Sequence, residues 1–169
     1  ESVLMQKTNF PYEIIIGEDE SDDGTREICL QYANKNPDKI RLFLRSRKDV
    51  IYINGKPTGR FNFIQNIKSA KGKYIALLPG DDYWTDPLKL QKQIDFLEAD
   101  PDYSLCFHNC MIVSMEKKQE WIFHKEPLQD TYETKDILKE WFIPTSSIVY
   151  RRYDDFVFPD WFLHCQSGD

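Results

Sequence analysis

Several ingredients are scarce in this sequence, and each scarcity removes a class of protein. Four cysteines in 169 residues, Cys29, Cys106, Cys110 and Cys165, are too few and too irregularly spaced for a disulfide framework, so reduced thiols in a cytoplasmic setting are expected. No run approaches the roughly 20 consecutive apolar residues of a membrane-spanning helix, and no secretory signal opens the chain. Peripheral placement at an inner membrane face is compatible with both. Lysine and arginine number 22 against 28 acidic residues, a net charge of -6, and no basic run could build a stripe for nucleic acid. Any anionic ligand must therefore be gripped locally. The chain also lacks an initiator methionine, and Glu1–Gln6 reads as the middle of a helix, which predicts a fragment.

What is present suits one folded domain over 1–169, since 41% of residues are apolar and 14% aromatic, enough for a substantial core. Glu13–Gly17 and Tyr74–Leu78 are short apolar runs that stop at acidic residues, the pattern of buried parallel strands. Between them, Thr25–Asn36 places Ile28, Tyr32 and Ala33 on one helical face, Ile40–Leu44 is a third strand, and Phe63, Ile64, Ile67 and Ala70 mark a second amphipathic helix. Asp86-Pro87 predicts a helix start, because aspartate caps and proline suits the first position; Leu90, Ile94 and Leu97 follow, and Asp100-Pro101 ends it. Further on, Leu105–Ser114 and Trp121–His124 are strand-like, 135–141 is a short helix, and Ser147–Arg151 is a strand. Alternation of strand and helix predicts an α/β layered sheet with helices on both faces, divided into residues 1–103 and 104–169.

In such sheets ligands bind at the carboxyl ends of strands, where both apolar runs deliver acidic loops: Glu18-Asp19-Glu20-Ser21-Asp22-Asp23-Gly24 and Gly80-Asp81-Asp82-Tyr83-Trp84. Two adjacent carboxylates ending a buried strand repel strongly at reduced dielectric, so Asp81-Asp82 predicts a divalent cation, Mg²⁺ or Mn²⁺, that takes one or two carboxylates and fills its shell with water and phosphate. That describes a diphosphate site, with the ion stabilising charge on the leaving group. The first loop also matches positions 1, 3, 5 and 6 of a calcium-binding loop through Asp19, Ser21, Asp23 and Gly24, but Leu30 occupies position 12 where a bidentate glutamate is required. Asp23 or Thr25 capping the next helix is the simpler reading of that loop.

Taken together these segments resemble the family 2 glycosyltransferases of the GT-A fold, in their bacterial branch. Glu13–Thr25 is similar to the family's second strand and the acidic loop that contacts the nucleotide; Glu18 and Asp19 fall on its acidic pair, with Asp19 the better match. Ala70–Trp84 resembles the segment with the metal-binding motif, where Asp82 would be the metal ligand and Asp81 a sugar or ribose contact. Asp86–Gln93 resembles the helix that follows, and Ser167-Gly168-Asp169 the later motif whose carboxylate is the general base of inverting members. The resemblance implies a nucleotide-diphospho-sugar donor, a saccharide or lipid-linked acceptor, and a role in bacterial surface polysaccharide synthesis. It also places the family's first strand before Glu1, between the strands at 13–17 and 74–78, so that the fragment lacks it.

Two other functions share these residues. A nucleotidyltransferase would attack phosphorus and needs a basic phosphate-gripping loop, which is not visible; a sugar- or nucleotide-binding module would keep the fold without chemistry. Among further residues, Trp84 is the aromatic expected to stack on donor, whereas Tyr83, Trp141 and Trp161 are expected to pack. Cys106, His108 and Cys110 alternate along one strand and could hold zinc if a fourth ligand existed, but half-buried strand residues are the commoner meaning. Arg151, Arg152 and Pro144–Ser147 read as a solvated pair and a turn.

Overall fold

Three isoleucines in a row start the first strand because β-branched side chains favour extended backbone. β1 (Ile14–Glu18) pairs in parallel with β2 (Ile40–Leu44), from Ile14 opposite Ile40 to Glu18 opposite Leu44. Helix α1 (Thr25–Lys35) makes the crossover that parallel strands need. It buries no residue, and Ile28 is 56% exposed, so the expected apolar face is a shallow one. The computed structural model describes residues 1–153 and 155–165, and its chain divides into two units. One is Phe10–Lys73 with Arg152–Asp169 and contains β1, α1 and β2; the other is Glu1–Asn9 with Tyr74–Arg151.

Within the first unit, a hairpin of β3 (Ile51–Ile53) and β4 (Lys56–Thr58) follows β2. Asn54 and Gly55 turn it, both at positive φ, 49° and 76°, which is the backbone that two-residue hairpin loops require. Helix α2 (Arg60–Ser69) then buries Ile64 and Arg60. Phe63 on α2 meets Phe158 and Phe162, each with ring centroids 6.1 Å away.

In the second unit β9 (Val149–Arg151) lies between β5 (Tyr74–Ala76) and β6 (Leu105–Cys106), antiparallel to both. The expected parallel strand over 74–78 is thus a short antiparallel one. Pairing continues only to Leu77, whose amide donates to Ile148 O at 3.2 Å, before Pro79 removes the next donor. Helix α3 (Lys89–Ala99) begins two residues after Pro87, because Asp86 first closes a turn: its carboxylate accepts the Leu88 amide at 2.8 Å and its carbonyl the Lys89 amide at 3.2 Å.

Glu1–Gln6 is a series of turns, not part of a helix. Buried Gln6 explains why: it donates to Asp86 O at 2.8 Å and accepts the Leu90 amide at 3.0 Å, satisfying a helix-start donor from 84 residues away. At the other end Arg151 donates to the carbonyls of Leu97 and Asp100 and closes α3. A hairpin of β7 (Met111–Ser114) and β8 (Gln119–Ile122) and a short α4 (Thr134–Lys139) with a Glu133/Asp136 capping box complete this unit. Its core is Phe142, Ile143 and Ile148, packed on Leu77, Phe107 and Tyr132 among others.

Candidate functional site

The first acidic loop is built on a glycine that admits two polar side chains. A Cβ on Gly17 would overlap both Asn62 and Arg45. With none there, Asn62 donates to Gly17 O at 2.8 Å and accepts from Arg45, which also donates to Asn66 Oδ1 at 2.8 Å. Arg45 stacks on Phe43, 5.3 Å from the ring centroid. This Arg45–Asn62 platform is not evident from the sequence, because Gly17 on β1, Arg45 after β2 and Asn62 on the helix Arg60–Ser69 lie in separate segments that only the fold unites.

Glu18, named as a nucleotide contact, is 3% exposed and committed. One oxygen accepts the Ser21 amide at 2.6 Å and the other the Arg26 guanidinium, which also donates to Arg45 O at 3.1 Å. Burial would raise its pKa, but Ser21 and Arg26 outweigh that and hold the carboxyl below its ordinary range. Glu18 therefore organises the loop, each of its oxygens already accepting one hydrogen bond from within it. Asp19 differs. It is half-buried, and burial raises its pKa even though Asn62 hydrogen-bonds to it and Arg45 lies near.

Arg47 binds the same loop, its amide donating to Glu20 Oε2 at 3.0 Å and its side chain to Glu20 O at 3.0 Å. Asp23 accepts the Thr25 amide at 3.0 Å in the turn leading into α1, but the N-cap itself is Gly24, with no side-chain cap, so neither Asp23 nor Thr25 holds the capping position expected of them. Arg60, 2% exposed over the Phe162 ring, leaves Nε and Nη1 without a hydrogen-bond partner.

In the second unit the chain after β5 folds into a turn in which the Asp82 amide donates to Pro79 O at 3.2 Å. Asp81 and Asp82 are both exposed, which changes the physics of the pair: unit charges roughly 4 Å apart repel by only about 1 kcal/mol in water. The two carboxylates do not demand a cation. They do fit one, since an ion of the Mg²⁺ or Mn²⁺ type needs only one or two protein carboxylates when water and phosphate complete its shell. Among the described residues no group of three or more His, Cys, Asp or Glu could hold a metal by itself, so neither the calcium loop nor the Cys106–His108–Cys110 zinc site is formed there. His108 Nδ1 and Cys110 Sγ lie 4.0 Å apart, and β6 ends at Cys106, breaking the alternation that the zinc reading assumed.

Trp84, expected to stack on the donor, is 6% exposed; its Nε1 donates to Ser146 O at 2.8 Å and the Lys89 ammonium covers one face, 4.2 Å from the ring centroid. It braces the turn. The exposed aromatic beside the carboxylates is Tyr83, at 64%. Arg151 is structural, as described, and Arg152 donates to Gly72 O at 2.8 Å. Asp169, the expected general base, lies outside the described residues.

The fold is thus a mixed α/β one, with an acidic loop after β1 in one unit and an exposed carboxylate pair after β5 in the other. Glycosyl transferase family 2 matches residues 1–158. The chain is 37% identical over 170 residues to an uncharacterized protein of Mycobacterium tuberculosis, covering 96% of this chain and 47% of that one. It is 30% identical to an uncharacterized glycosyltransferase of Nostoc, covering 89% and 45%. Over 100 residues it is 37% identical to a UDP-Glc:α-D-GlcNAc-diphosphoundecaprenol β-1,3-glucosyltransferase of Escherichia coli, covering 59% and 35%. The chain belongs to glycosyl transferase family 2, and its fold is the GT-A fold of that family. It spans about half the length of the curated relatives it matches along nearly all of its own. Among the described residues no helix is long and apolar enough to cross a membrane.

Proposed function

We propose that the chain carries the donor-binding part of an inverting glycosyltransferase that moves a sugar from a nucleoside diphosphate to an acceptor hydroxyl. Family membership over 158 of its residues supports this; the single structural observation that carries it is the exposed Asp81-Asp82 pair at the end of β5. Asp82 is the ligand to a Mg²⁺ or Mn²⁺ ion, which supplies charge stabilisation to the departing diphosphate. Asp81 contacts sugar or ribose. Asp19, on the Arg45–Asn62 platform, accepts from the nucleoside.

The acceptor oxygen bonds to the anomeric carbon as the bond from that carbon to the phosphate oxygen breaks, and Asp169 takes the acceptor's hydroxyl proton on the opposite face. The diphosphate leaves with the bonding pair. Direct displacement inverts the anomeric centre. The Escherichia coli relative's named acceptor, a sugar diphosphoundecaprenol, favours a lipid-linked acceptor and a place in surface polysaccharide synthesis at the inner membrane face.

Calorimetric titration with UDP-, dTDP- and GDP-sugars, with and without Mn²⁺, tests the reading. Binding is expected for one donor and only with metal, and Asp82→Asn is expected to abolish the metal requirement's benefit. Donor binding indifferent to Mn²⁺ removes Asp82 from its role, and pyrophosphate release in place of sugar transfer makes the protein a nucleotidyltransferase.

A further inference from the structure

Lys89 stands in the first turn of α3, 4% exposed, with no hydrogen-bond partner for its Nζ among the described residues. The position opposes a positive charge twice over: burial removes water, and the helix start presents the positive end of the backbone dipole. Burial accordingly pushes its pKa down to about 8. The titratable neighbours do not supply a counter-charge. Burial moves the thiols of Cys106 and Cys110 up, away from thiolate, and the His108 imidazole down, toward the neutral form. Asp86 influences His108 but is engaged with Lys92 at 2.8 Å. Among the described residues, the contact that favours the ammonium is the Trp84 ring, 4.2 Å from its centroid.

That contact leads to the carboxylates. Trp84 follows Asp82 by two residues, and its Nε1 donates to Ser146 O at 2.8 Å, so the indole is held by its edge from the 145–147 turn and on its face from α3. Tyr83 and Thr85, on either side of it, are exposed, which leaves Trp84 as the buried anchor of this turn.

We propose that Lys89 is a positioning residue: its ammonium fixes the Trp84 indole, and through it the Gly80–Trp84 turn that presents Asp81 and Asp82 to the divalent ion and diphosphate. This rests on the reading of Asp82 as metal ligand. A residue kept only for stability would lower the unfolding temperature when replaced, whereas an uncompensated buried cation lowers stability and an apolar side chain of similar length relieves it.

The test uses the full chain as wild type, Lys89→Met, Lys89→Arg and Asp82→Asn, and measures thermal unfolding and the calorimetric affinity for Mn²⁺ with UDP, dTDP or GDP in turn. Lys89→Met is expected to unfold at the same or a higher temperature yet bind the Mn²⁺–nucleotide roughly three- to thirtyfold more weakly. Lys89→Arg, which also stacks on indole, recovers most of that loss. If Asp82→Asn loses binding while Lys89→Met keeps it, the positioning role is wrong and the metal site stands. A Lys89→Met protein that unfolds at lower temperature, with no rescue by arginine, makes Lys89 a packing residue and also overturns the proposal. Wild-type binding of none of the nucleotides, or binding unaffected by Asp82→Asn, overturns the metal reading and the proposal together.

Discussion

At the scale of residues, adjacent acids in one loop do different work. Glu18 and Asp19 are neighbours, yet the first, at the end of β1, is buried against Ser21 and Arg26, and the second, just past it, is half-buried near Arg45. Glu18→Gln is therefore expected to lower stability by about 2 kcal/mol at pH 7, since Arg26 loses its counter-charge but stays partly solvated. The sign with pH follows from a folded-state pKa held below the ordinary glutamate value of 4.5. The ionised, paired form stabilises the fold above that value, and the contribution disappears as pH falls through the lower folded one. Urea unfolding should show a wide gap between wild type and variant at pH 7 and a narrowing one below pH 4.5; a gap constant with pH would rule out the ion pair as its source.

Elements show which local signals were sufficient and which were overridden. Ile40–Leu44 is a strand with the boundaries its composition indicates, and α1 ends one residue before the expected Asn36. The β3–β4 hairpin carries a strong signal, Asn54-Gly55 between two extended triplets, that a reading tuned to alternating strands and helices passes over. Gly55→Ala, at φ 76°, is expected to cost about 1 kcal/mol. Gly59→Ala makes a matched control, because Gly59 lies at φ -76° with open space where the Cβ would go; it should be neutral or slightly stabilising in the same denaturation experiment. The Tyr74–Leu78 run shows the converse. Its apolar composition marks a buried strand, but composition carries no record of the partner's direction, and β9 supplies an antiparallel one.

For the whole molecule the decisive question is whether this chain's family membership extends to chemistry. A binding module would keep Asp19 and Asp82 and have no use for a base. Asp169→Asn in the full-length protein is expected to leave Mn²⁺-dependent nucleotide binding intact while lowering the rate of sugar transfer at least about 100-fold, the lower range for loss of a positioned general base. Transfer at the wild-type rate would move the base elsewhere. Absence of transfer by the unmodified protein across a broad donor panel would leave it a binding module.

The sequence determined the mixed α/β class, the family and the two acidic loops, because periodicity, turn residues and contiguous motifs are local and survive without coordinates. Tertiary structure decided which carboxylates are available. Glu18 is consumed by Arg26, Trp84 is held between Lys89 and Ser146, and Arg45 meets Asn62 and Asn66 through a glycine that leaves them room. Each of those assignments depends on partners from distant segments, and the energy of a buried charge or indole is set by what the fold places beside it rather than by its neighbours in the chain.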